Sequence, residues 1–103
     1  MRYYVYMIRC SDNSLYTGIT NNIDKRMSEH FNQKKECAKY TKSHKVVSIE
    51  SIWTSKDKSS AAKLEYYIKS LSKKEKEDIV INNNLSKYLK GKIDCRKYRR
   101  INE

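Results

Sequence analysis

The 103-residue chain has no proline and only two glycines, Gly18 and Gly91, so no proline- or glycine-rich linker divides it. At this length one compact domain is expected, removing roughly two-thirds of its unfolded surface from water, and two full domains are excluded. Cysteine is sparse: Cys10, Cys37 and Cys95 form no Cys-x-x-Cys pair, which argues against a disulfide framework or a zinc ribbon. A mixed set of Cys10, His30, Cys37 and His44 lacks the local spacing of a zinc site. No apolar run approaches the ~20 residues of a membrane span, and Met1 to Cys10 carries no signal pattern. The expected setting is therefore intracellular, in the cytoplasm or at the nucleoid with a nucleus left open, and no membrane partner is expected.

Acidic residues are also short, with 12 Asp+Glu against 23 Lys+Arg and a net charge of +11. A small domain with that excess suits an anionic partner. Tryptophan and phenylalanine occur once each, but nine tyrosines and periodic apolar blocks separate the chain from disordered sequences. Residues 85–103 hold seven basic and two acidic groups, +5 of the total. The chain is thus read as a domain over residues 1–84 and a basic C-terminal extension over 85–103, whose Leu85, Tyr88, Leu89 and Ile93 could dock as a short helix.

Residues 2–10 are β-branched and aromatic, Ser11 to Ser14 form a turn cluster, and Leu15 to Ile19 is a second extended run, together predicting a hairpin. Thr20, Asn21 and Asn22 offer N-caps for a helix over about 22–31. Residues 32–44 read as a basic loop, and 46–53 has the composition of a third strand. Ser55 or Asp57 can cap a helix over 58–72 with an apolar stripe of Ala61, Leu64, Ile68 and Leu71. Residues 73–81 predict a further helix, stopped by Asn82, Asn83 and Asn84. The fold class expected is α/β of the α+β type: a small three-stranded antiparallel sheet flanked by about three helices.

Strand alternation puts Tyr4 and Tyr6 on one face, and a hairpin partner can bring Tyr16 across from them. Arg26 and His30 are four apart on a helix and project from one face. Glu65 lies beside the apolar stripe of the long helix, at the edge of the buried face. Tyr4-Val5-Tyr6, Tyr16-Thr17-Gly18, Arg26, His30 and Glu65 follow one another with ten residues from Tyr6 to Tyr16 and ten more to Arg26. This order and spacing, over about residues 2–81, resembles the GIY-YIG nuclease superfamily. The likeness is strongest to small stand-alone members similar to the N-terminal incision domain of the excision-repair nuclease. Tyr4 stands where the first motif name has glycine, and Thr17 where the second has isoleucine.

The resemblance implies a DNA endonuclease that hydrolyses phosphodiester bonds with a divalent metal, Mg²⁺ or in its place Mn²⁺, bound by Glu65. Arg26 would hold the scissile phosphate by its planar fork. Tyr6 would be the general base, its ordinary pKa of about 10 lowered by metal and cationic charge. Tyr16 and His30 would orient water or phosphate, and His30 could instead relay the proton. Many members carry a late asparagine near the metal, for which Asn82, Asn83 and Asn84 are the candidates. DNA repair is the implied setting, with structure-directed cleavage of branched, flapped or damaged DNA or weak sequence preference.

Lys34, Lys35, Lys39, Lys42, Arg96, Lys97, Arg99 and Arg100 are the expected nucleic-acid contacts, with Tyr40, Tyr88 and Tyr98 interleaved for stacking. RNA stays open as a substrate because phosphate recognition is common to both nucleic acids. So does a protein partner that supplies the target. The alternative function is a catalytically inactive nucleic-acid-binding module of the same fold. Taken singly each residue has a plainer role: strand tyrosines pack, and Glu65 can pair with Lys69 one helical turn on.

Overall fold

The computed structural model describes residues 2–33 and 39–102, apart from the side chain of Lys42. The expected contacts Lys34 and Lys35, like Cys37 and the side chain of Lys42, lie outside the described residues.

β1 (Tyr3–Cys10) and β2 (Leu15–Thr20) form the expected hairpin, with Asn13 in the left-handed conformation (φ 71°) at the turn. α1 (Ile23–Phe31) follows, its free N-terminal amides met by Asn22, whose side chain accepts from the Lys25 amide at 3.1 Å. A short α2 (Lys39–Ser43) occupies part of the expected basic loop. β3 (Val46–Ser55) leads into α3 (Lys58–Lys69), capped by Asp57 onto the Ser60 amide at 2.8 Å. α4 (Lys73–Asn82) opens with a reciprocal Ser72–Glu75 capping box and closes on Asn83 in the left-handed conformation.

The sheet order is β2-β1-β3-β4, the last being Arg99–Arg100, with every neighbouring pair antiparallel. β1 is central and covered on both faces, so Val5 to Ile8 are all at most 1% exposed. Val5 and Met7 join Trp53, Ala61, Leu64, Ile68 and Ile79 on the face covered by α3 and α4. Tyr6, Ile8 and Cys10 join Met27 and Val46 on the opposite face. That alternation places the tyrosine of the first motif on the α1 side. Arg9 ties the first face together, donating to Glu50 of β3 at 2.7 Å and gripping Glu77 of α4 through both terminal nitrogens at 2.6 and 2.7 Å.

Two expectations change at the C-terminal end. The sheet has four strands rather than three, because β4 (Arg99–Arg100) pairs with Trp53 and Thr54 along the outer edge of β3. A two-residue strand shows no alternation, so composition alone could not reveal it. Arg100, expected on nucleic acid, instead donates to the carbonyls of Val80 at 2.9 Å and Glu50 at 2.8 Å, with a longer contact to that of Ile79. Those carbonyls sit at the end of α4 and on the uncovered edge of β3, and the planar guanidinium spans both. Asn102 adds to this closure: its Oδ1 accepts from the Ile52 amide at 2.6 Å and its Nδ2 donates to Glu50 O at 3.1 Å.

Before that strand come α5 (Ser86–Leu89) and a single 3₁₀ turn, Cys95–Lys97. Leu85, Leu89, Ile93 and Tyr98 of this stretch are buried in the core beside Trp53 and Leu64. Leu89 is fully buried, so Leu89→Ala should lower unfolding free energy by about 2–5 kcal/mol. Denaturant melts against wild type measure it, and an unchanged midpoint would show that the extension contributes nothing to the core.

Candidate active site

The site is built on the α1 face of the β1–β2 hairpin. Tyr6 pairs directly with Gly18 across the hairpin, and Ile8 with Tyr16. The hydroxyl end of the Tyr6 ring lies against the glycine: a Cβ added to Gly18 would stand 2.6 Å from Tyr6 Cζ, closer still to its hydroxyl, and 3.2 Å from Tyr16 Cε2. Gly18 is thus required by close approach and not by its backbone angles. Tyr6 and Tyr16 converge as expected, with ring centroids 6.4 Å apart.

α1 delivers Arg26 and His30 to the same spot. The Tyr6 hydroxyl is 2.7 Å from His30 Nε2, and Arg26 Nε donates to the phenolic oxygen at 3.3 Å. His30 is fully buried, its Nδ1 lying 2.8 Å from Thr41 Oγ1 on α2. Arg26 Nη1 donates to Glu29 Oε1 at 2.9 Å. Tyr16 packs its ring against His30 at 5.6 Å and stacks on Tyr40 at 5.7 Å. Tyr40 in turn stacks on His44 at 4.0 Å, and its hydroxyl donates to Ser14 in the hairpin turn. These contacts fasten α2, and with it Thr41, to the hairpin.

Glu65 approaches from α3, on the side of the edge strand β2. Its charge reaches the Tyr6 phenol, which it pushes up in pKa. Its carboxylate pairs with Lys69 at 3.2 Å, and the Lys69 ammonium sits 5.8 Å from the centre of the Tyr16 ring. Among the described residues no cluster of three or more His, Cys, Asp or Glu could hold a metal, which includes the described members of the cysteine–histidine set.

Burial sets the electrostatics. Desolvation pushes the Tyr6 phenol up to about 12, opposed by the hydrogen bond and charge of Arg26. The lowering expected from the sequence rests on metal and cationic charge together, and the charge of Arg26 by itself does not outweigh removal from water. Burial likewise lowers His30 to about 4, helped by the charge of Arg26, so the imidazole is neutral at pH 7.

A family model for the GIY-YIG catalytic domain matches residues 2–78. The chain belongs to the GIY-YIG family. Among relatives, it is 50% identical over 80 residues to a UPF0213 protein of Fusobacterium nucleatum, an alignment spanning 78% of each chain. A UPF0213 protein of Desulfotalea psychrophila is 44% identical over 78 residues, 76% of this chain and 70% of that one. The solution NMR structure of the UPF0213 protein BH0048 from Bacillus halodurans aligns with 89% of this chain and 97% of its own at 32% identity, TM-score 0.48. Membership places the chain in a nuclease superfamily.

Of the residues read from this GIY-YIG sequence, Tyr6, Tyr16, Arg26 and His30 form one cluster, with Glu65 at its rim. Lys39, Arg96, Lys97 and Arg99 are exposed, Arg96 being paired with Asp94 at 3.0 Å. The three asparagines serve the end of α4: Asn82 bonds Asp78, Asn83 is the C-cap, and Asn84 accepts from Ser86 and Lys87. Tyr88 donates to Asp78, and Tyr98 is buried with its hydroxyl on Ser60 O at 2.7 Å. Neither presents itself as a stacking surface. Two residues escape the sequence reading. Glu29 stands three positions after Arg26, a spacing that signals an ion pair, whereas nothing in the basic run around Thr41 marks it as the partner of His30.

Two outcomes follow from this geometry. Gly18→Ala should cost about 1–3 kcal/mol by overpacking and displace the Tyr6 ring, seen as a lower melting temperature and shifted Tyr6 ring resonances. His30 titrates near its ordinary 6.5 when unfolded and about 4 when folded. Its neutral form therefore stabilises the fold fully above about pH 6.5, and that contribution is lost as pH falls through about 4. Denaturant midpoints against pH should fall over this window in wild type and fall less in His30→Gln.

Proposed function

We propose that this chain is a divalent-metal-dependent DNA endonuclease that hydrolyses phosphodiester bonds, directed by DNA structure more than by sequence. The observation that carries this reading is the convergence of Tyr6, Tyr16, Arg26 and His30 from three elements onto one spot, with the Glu65 carboxylate beside it. A solvated packing role for each would not require a buried phenol, a buried imidazole and a guanidinium to share hydrogen bonds.

Phosphodiester cleavage needs a polarised water, neutralised phosphoryl charge and a protonated leaving oxygen. Arg26 holds the scissile phosphate. Tyr6, a neutral phenol with a pKa raised to about 12, accepts a proton from water only as it releases its own to His30 Nε2. The negative charge of a bound phosphate must favour that transfer against the burial that keeps the imidazole neutral. The tautomer protonated on Nδ1 donates to Thr41 and leaves Nε2 to accept, so Thr41 orients the relay. Tyr16 walls the site against His30 and keeps the water in place.

Glu65 suits a hard cation such as Mg²⁺ or Mn²⁺: a single carboxylate oxygen donor with the remaining ligands supplied by water. When bound there, the metal supplies charge neutralisation at the phosphoryl oxygens. The exposed Lys39, Arg96, Lys97 and Arg99 suit flanking phosphates and give affinity without sequence readout, on DNA or RNA. Contacts made to phosphates and not to base edges fit structure-directed cleavage, with a partner protein as a source of targeting. Branched DNA in repair is the setting that fits.

Forked, flapped and duplex DNA incubated with the protein and Mg²⁺ or Mn²⁺ should be cut, forked and flapped substrates fastest. Glu65→Ala should lower the rate by roughly a hundredfold or more while DNA affinity in the absence of metal is kept. No cleavage by wild type, with binding retained, would favour an inactive binding module instead. Affinity that does not fall between low and physiological salt would remove the electrostatic basis of both readings.

A further inference from the structure

Glu29 is a buried carboxylate for which the reaction as written has no use. It is 8% exposed, lies next to His30 on α1, and accepts from Arg26 Nη1 at 2.9 Å. Burying an unpaired carboxylate costs several kcal/mol, and Arg26 is the partner that offsets it. An exposed i,i+3 pair contributes only a few tenths of a kcal/mol and leaves both side chains mobile. This pair differs because the far end of the same guanidinium is also engaged. Arg26 Nε donates to Tyr6 and Nη1 to Glu29, and two bonds from different nitrogens of one rigid plane fix its position and its tilt. Losing the Glu29 bond removes the shorter of these two restraints, the Tyr6 contact being 3.3 Å long.

The pair also lines a cleft of about 310 Å³ between the end of β2 and α1, with Lys25, Asn22 and Ile19 on its other walls. A phosphodiester entering there meets the Arg26 cation together with the Glu29 anion. The ground-state phosphate is therefore held less tightly than by an uncompensated arginine, while the guanidinium stays aimed. Binding spent equally on substrate and transition state does not raise the turnover of bound substrate, so lowering the first while keeping orientation costs little in turnover.

We propose that Glu29 is a positioning residue that aims Arg26 at the scissile phosphate and tempers its charge. The kinetic half of this inference rests on the nuclease reading; the geometric half does not. Glu29→Gln keeps an oxygen acceptor on Arg26 and removes the charge, whereas Glu29→Leu removes both.

Nitrogen-15 NMR of the Arg26 Nε–Hε group, together with DNA affinity measured without divalent metal at low salt, separates the possibilities. A solvent-protected Nε–Hε resonance is expected in wild type and in Glu29→Gln and is expected to be lost in Glu29→Leu. Glu29→Gln should bind DNA roughly three- to tenfold tighter, and its KM should fall without a rise in kcat. An equally protected resonance in Glu29→Leu would overturn the aiming role, and unchanged affinity in Glu29→Gln would overturn the tempering role. Should Glu29→Leu fail to fold, the affinity and KM-against-kcat split of Glu29→Gln still decide the second point, and exposure of the Nε–Hε group in Glu29→Gln would still speak against aiming by the acceptor. Should wild type cut no DNA, the nuclease reading fails while the resonance result stands.

Discussion

The contact between the Tyr6 ring and the bare backbone of Gly18 is the constraint around which the site is arranged. It requires a hairpin in register, a glycine opposite the tyrosine and a strand buried on both faces. With the end of the ring against Gly18, its hydroxyl meets His30 and Arg26 of α1. Any side chain at position 18 would lift the phenol away from both. Burial then decides the protonation states, because a desolvated phenol and imidazole both resist charge.

Much of this was legible in the sequence, for reasons that can be named. The hairpin, α1, β3, α3 and α4 followed from composition, periodicity and caps, with Asn22 and Asp57 among the N-caps offered. Ser72, read as the last residue of the helix over 58–72, instead caps α4 after α3 has ended at Lys69. The convergence of Tyr6, Tyr16, Arg26 and His30 followed from alternation in strands and four-residue spacing in a helix. Long-range closure was not legible. Arg100 reads as one more cation in a basic stretch until the sheet edge and the end of α4 are seen to meet at its guanidinium. Nor could the sequence show that Thr41 meets His30, since their pairing depends on Tyr40 stacking α2 onto the hairpin. Nor does spacing reveal how strongly burial opposes ionisation of Tyr6, since it counts nearby charges but not the water that folding removes.

The positive charge divides by environment as well as by position. Arg9, Arg26 and Arg100 are drawn inward, each engaged by carboxylates, a phenol or carbonyls. They organise the fold and the site. Lys39, Lys97 and Arg99 stay on the surface and supply the field that a polyanion would feel at a distance.

β1 has a further consequence as a partition. Its odd-numbered residues belong to the core shared by α3, α4 and the C-terminal stretch, and its even-numbered ones to the core beneath α1 and α2. The two sets of side chains are separated by one layer of backbone. Durability and most of the reactive cluster are thus housed in different compartments, so drift in Leu89 or Ile93 can tune how long the molecule lasts at a distance from its phenol, imidazole and guanidinium, and only Glu65, on α3, answers to both.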